Sequence, residues 1–211
     1  MLLYQPPKPQ RRDGFAFGVS VGAGAASYAG YPNVAGQIGD ANYLAASGLL
    51  FGHSVIFWGG GALRDWLTVG LGASITGAGA GDTRGGIDSA ILHLEVFPFF
   101  PWGGAYQDLG LSFDGGLGGG TLLQSSYSSD ALGAGATSHV ALTAFYEPLR
   151  FGPFSTGPTL TYAHDFSQTM QVHQVTLGLR FAGYATQPKK HKPGAEAGAK
   201  QRPNRAAPRS F

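Results

Sequence analysis

The chain has 211 residues, room for one sizeable domain, and no cysteine, which excludes disulfides and thiolate chemistry. Only 12% of its residues are charged, about half the usual share for a soluble domain, while glycine fills 35 positions. The net charge of +2 hides an asymmetry: beyond position 187 seven basic residues face Glu196 alone, whereas between positions 14 and 186 four arginines face ten acids.

The opening "MLLYQPPKPQRRDG" has prolines and charges where the apolar stretch of a secretory signal would stand, and it reads as a separate segment, 1–13. From position 14 the pattern changes. In "GFAFGVSVGAGAA", Phe15, Phe17, Val19 and Val21 alternate with Ala16, Gly18, Ser20 and Gly22. A period of two means an extended strand, here with one oily and one nearly bare face. This first strand is predicted over 14–28, followed by a loop, "AGYPNVAGQIGDAN". Further strands are predicted over 43–58, 66–77, 87–99, 107–121, 134–147, 154–166 and 170–183, with "AGAGDTRGG" as a loop between the third and fourth. On the second strand His53 shares the parity of Leu49, Phe51, Val55 and Phe57, so either it faces the apolar side or a bulge at Gly52 resets the phase.

Eight alternating segments with turn-rich connectors are the pattern of a transmembrane β-barrel, each segment long enough for the roughly 9–11 tilted residues a crossing takes. The fold class expected is therefore all-β: an eight-stranded antiparallel up-and-down barrel over 14–185, with a basic tail over 186–211. The aromatics agree. Phe57, Trp58, Trp66, Phe97, Trp102, Phe145 and Phe181 gather toward one end, and Tyr28, Tyr43, Tyr162 and Phe166 toward the other, as interface girdles do. A soluble β-sandwich would also alternate, but its outer face would need more charge. Membrane helices would fit the two uncharged stretches 14–39 and 41–63, but both are rich in glycine, which costs about 1 kcal/mol per helical position relative to alanine.

Strand parity also places Arg180, Glu95, Asp108 and Glu147 on the inner face toward one end, predicting an interior charge cluster around Arg180. Inward Gly18, Gly22, Gly70, Gly72, Gly110 and Gly178 predict slack in the lumen. His93 and His139 also point inward, without a second ligand at metal spacing, so no metal and no cofactor is expected. "GGLGGG" (115–120) has no following Lys-Ser/Thr and does not read as a phosphate loop. "PKKHKPG" lies in a Pro-, Ala- and Gly-rich tail that reads as disordered, so no nucleic acid is expected; an anionic periplasmic partner suits the tail better.

The stretch "VHQVTLGLRF", alternating and ending at Phe181, resembles the terminal strand of Gram-negative outer-membrane proteins, and the whole of 14–184 resembles the small eight-stranded superfamily of OmpA, OmpX and opacity-type barrels. The resemblance implies an outer-membrane location, both termini in the periplasm, four longer loops outside the cell, contact with outer-membrane lipid and lipopolysaccharide, and a non-enzymatic structural, adhesive or ligand-binding role, with a narrow pore as a variant. It is silent on oligomeric state, for which a monomer is expected. The chain departs from it in continuing past Phe181 with a basic tail. Some barrels of this size are lipid A deacylases, and "YAHDFSQ" supplies His164 and Ser167 as an alternative catalytic pair beside Asp165, although His164 and Asp165 point to opposite faces.

Overall fold

In the computed structural model the described residues are 12, 14–32, 34–124 and 131–185. Strands β1 (Gly14–Gly30), β2 (Ala45–Arg64), β3 (Leu67–Ala80), β4 (Thr83–Val96), β5 (Leu109–Gln124), β6 (Ala131–Tyr146), β7 (Leu149–Phe151), β8 (Phe154–Phe166) and β9 (Met170–Tyr184) form one antiparallel sheet. β7 continues β6 beyond a break at Glu147-Pro148. The proline has no N–H to donate, and the chain presses so closely on Gly157 of β8 that no Cβ fits there.

The sheet closes on itself. β1 pairs with both β2 and β9, and β6 pairs with both β5 and β8, so eight staves leave no free edge around the ring. The two-sheet sandwich is thereby excluded, and among the described residues no helix is long and apolar enough to cross a membrane. Stepping from Gly135 to Gly120, Ile87, Thr76, Ser54, Gly22, Gly178 and Thr159 returns to β6 at Phe145, ten residues along. Eight strands with that stagger tilt by about 40° and enclose a lumen that side chains can fill.

Burial follows the alternation. Phe15, Phe17, Val21, Leu71, Leu92, Phe113, Leu142, Leu160, Leu177 and Leu179 cover the outer wall, and polar or small residues line the inside. His53 lies on the outer wall with no change of phase: Gly52 pairs regularly with Gly24 and Ala78, and the His53 imidazole lies over Gly77. Several predicted girdle aromatics turn inward instead. Trp58, Phe97 and Phe145 are buried in the bore at one end, and Tyr28 at the other.

Both described ends of the chain lie at the same mouth as the connections 65–66, 97–108 and 152–153; this is the terminal end. The far end holds 31–44, 81–82 and 167–169. The predicted loop "AGAGDTRGG" is mostly strand: β3 and β4 run on to a two-residue turn at Gly81-Asp82, where Gly81 takes the left-handed φ of 57°. A long connection lies at the terminal end as well, where 97–108 contains two short 3-10 helices, while at the far end only 31–44 is of comparable length among the described residues. The expectation that the long connections sit together opposite the termini is therefore corrected. Short periodicity cannot tell a glycine-rich strand from a glycine-rich loop. The predicted segments 1–13 and 186–211 lie, apart from Arg12, outside the described residues.

Candidate functional site: a plugged lumen

The inner wall stacks three layers. At the far end Tyr28, Leu50, Ile87, Leu122, Met170 and Val172 form an apolar cap. Above the last β6–β8 pair, Ser138↔Phe166, β6 leans over the 167–169 turn, so that Gly133 comes against Gly30 of β1. Hydroxyls of Ser54, Ser74, Thr76, Ser89, Thr143, Thr161 and Thr176 line the middle, where Ser54 meets Thr176 at 3.1 Å and Thr143 meets Thr161 at 2.9 Å. His139 bonds Asp165 across the β6–β8 pair at 2.7 Å.

The terminal end is charged. Arg180, on β9, is only 2% exposed and crosses the bore. Its guanidinium donates to Glu95 at 2.5 Å, to Glu147 at 2.9 Å and to the Tyr184 hydroxyl at 3.2 Å, and it lies 4.2 Å over the Phe145 ring. Tyr184 donates in turn to Glu147 at 3.0 Å. Asp108, the fourth predicted member, is held by other arginines. It ends a 3-10 helix just before β5, where it accepts from Arg12 at 3.2 Å and from Arg150. Arg12, two residues before β1 at the terminal mouth, is fully buried, 3.6 Å over Phe97 and 3.6 Å from Glu147.

His93 links this plug to the hydroxyl layer. Its Nε2 lies 2.8 Å from Glu95 and its Nδ1 2.5 Å from Asp114, and Trp58 stacks on the ring at 4.5 Å. Each ring nitrogen of His93 thus faces a carboxyl group. In the plug the basic side chains of Arg12, Arg150, Arg180 and His93 pair with the carboxyl groups of Glu95, Asp108, Asp114 and Glu147, as burial of so many polar groups demands. Sequence reasoning missed Arg12, because a lone arginine in a proline-rich segment shows no periodicity. It also missed Asp114, Arg150 and Tyr184. Asp114 was legible in principle: it shares the inward parity and directly faces His93 across the β4–β5 pair.

The bare inner face of β1 now has its reason. A Cβ on Gly18 would stand 2.7 Å from the Trp58 indole, and Gly110 and Gly85 lie against the rings of Phe145 and Tyr28. Gly18 and Gly110 make room for large rings from neighbouring strands, Gly22 lies against Thr176, and a Cβ on Gly70, Gly72 or Gly178 would press on the backbone of the next strand, so the slack expected from them is occupied.

The alternative catalytic pair is not assembled. His164 faces outward and gives its Nδ1–H to the Val172 carbonyl at 3.1 Å. Ser167 holds the 167–169 turn, accepting from the amides of Thr169 and Met170, and Asp165 faces inward to His139. Among the described residues no group of three or more His, Cys, Asp or Glu side chains is placed to hold a metal ion.

The closed ring, its stagger, the apolar outer wall and the polar bore decide the architecture. Its fold is that of the small eight-stranded outer-membrane β-barrels. Among solved structures the chain is similar to Ail, the attachment invasion locus protein of Yersinia pestis, at 14% identity over 81% of this chain and 99% of that one, with a TM-score of 0.47. It is also similar to the outer membrane protein OprG from Pseudomonas aeruginosa, at 11% identity over 83% and 99% with a TM-score of 0.42. A third is the outer membrane protein AlkL, at 11% identity over 89% and 99% with a TM-score of 0.39. No family model and no curated protein matches the sequence.

Proposed function

We propose that the chain is a closed, non-enzymatic outer-membrane barrel, monomeric, with both termini in the periplasm, which works as a structural, adhesive or ligand-binding element through its surfaces and not through its bore. One observation carries the reading: the lumen is blocked twice, by the apolar cap at the far end and by the Arg180–Glu95–Glu147–Tyr184 plug with Arg12 beneath it. Outer-membrane lipid and lipopolysaccharide are the partners of the apolar wall. The far-end rim suits contact with a ligand or surface. There the 31–44 connection presents Val34, Tyr43 and Leu44, about half exposed, and a cleft of about 180 Å³ opens between Tyr31, Leu44 and the 167–169 turn. The basic tail beyond position 187 suits an anionic periplasmic partner by its charge alone.

Liposome swelling tests this directly. Proteoliposomes carrying the chain should take up no sugar, whereas entry at porin-like rates would overturn the closed reading.

A further inference from the structure

We propose that His164 and His173 form a two-imidazole site for a divalent transition-metal ion on the outer wall, near the far-end rim. The two residues are direct partners across the β8–β9 pair. Both point away from the lumen, and they lie only a few residues from the 167–169 turn. Directly opposed residues in an antiparallel pair have Cβ atoms about 4.5–5.5 Å apart, which suits two imidazoles sharing one ion.

The rings are already stacked face to face. Their centroids are 4.3 Å apart and their planes differ by 15°. Two nitrogens bound to one ion at about 2.0–2.1 Å stand roughly 3–4 Å apart, so the exposed His173 ring would swing out of the stack for both lone pairs to converge on a shared ion. Stacking continues on both sides, with Phe166 on His164 at 5.1 Å and Tyr162 on His173 at 6.3 Å.

Hydrogen bonds on the inner nitrogens prepare the outer ones. His164 donates Nδ1–H to the Val172 carbonyl at 3.1 Å, which leaves the Nε2 lone pair free in the neutral ring. His173 Nδ1 lies 3.0 Å from the Tyr162 hydroxyl, an oxygen able to accept from Nδ1–H when Nε2 binds a metal. A fixed oxygen behind each ligating imidazole is how metal-binding histidines are oriented and made more basic. Imidazole favours the copper–zinc end of the first transition row, with Cu(II) bound most tightly. Water or a lipid phosphate oxygen would complete the coordination. The level of the site in the membrane rests on the proposed orientation, but its ability to bind metal does not.

The test is Cu(II) titration of the full-length chain, folded in detergent micelles, read by electron paramagnetic resonance and by competition with Zn(II). Folding of every variant is checked by the difference in gel mobility between boiled and unboiled samples. The expected spectrum shows hyperfine coupling to two imidazole nitrogens. His164→Ala and His173→Ala should each weaken binding by about tenfold or more and leave one-nitrogen coupling, while Tyr162→Phe, which keeps both ligands, should weaken it several-fold. His53→Ala and His191→Ala should change nothing. Single-nitrogen coupling in the unaltered chain, or binding that survives His173→Ala and is lost with His191→Ala, would overturn the assignment.

Discussion

Replacing Arg180 by leucine removes the cation that bridges Glu95 and Glu147. Arg180 is buried and bonded on three sides, and each carboxylate keeps a second partner when it goes: Glu95 keeps His93 at 2.8 Å, and Glu147 keeps Tyr184 at 3.0 Å and Arg12 at 3.6 Å. Breaking a buried pair costs about 3–5 kcal/mol when a charge is left alone. The remaining partners put Arg180→Leu at the lower end, about 3 kcal/mol. With a urea dependence of about 1–3 kcal/mol/M, the unfolding midpoint should fall by about 1–3 M. Urea titration of the chain in detergent, followed by tryptophan fluorescence, measures the shift, because Trp58 lies 5.3 Å from the guanidinium and stacks on His93. Adding Glu95→Gln should recover part of the loss by removing one of the facing carboxylates. An unchanged midpoint for Arg180→Leu would refute the reasoning, since it would mean that the charges of the plug are solvated rather than mutually compensated.

Arg12→Ala should destabilise the barrel by about 2 kcal/mol, because a desolvated cation over Phe97 and one of the two arginines on Asp108 are lost together; the same urea titration checks it. It should open no sugar pathway in liposomes, because the Arg180 layer above remains closed. Gly18→Val forces the Trp58 indole out of its place against β1, so its emission should shift to the red and its quenching by acrylamide should rise. His53→Leu should stabilise the barrel by about 1–2 kcal/mol in bilayers, because it exchanges a lipid-facing imidazole for an apolar side chain; equal or lower stability would place His53 in water.

The eight staves and their inner and outer faces, though not the short β7, were legible in the sequence, because side-chain alternation is a local property: each Cβ points opposite to its neighbours whatever else the chain does. Parity alone put Arg180, Glu95, Asp108 and Glu147 inside and left His53 beside Phe51 and Val55. Levels within the bore were not legible. Which inward residues meet depends on register, and register in a closed ring is set jointly by all eight pairings, here by a stagger of ten residues between Gly135 and Phe145. That is why Asp108 meets Arg12 and Arg150 instead of Arg180, and why Asp114 faces His93. The inner glycines show the same division. Sequence revealed the missing side chains on one face of β1, but only the neighbouring strands reveal that Trp58 occupies the space, because a cavity is defined by what reaches into it from elsewhere in the fold.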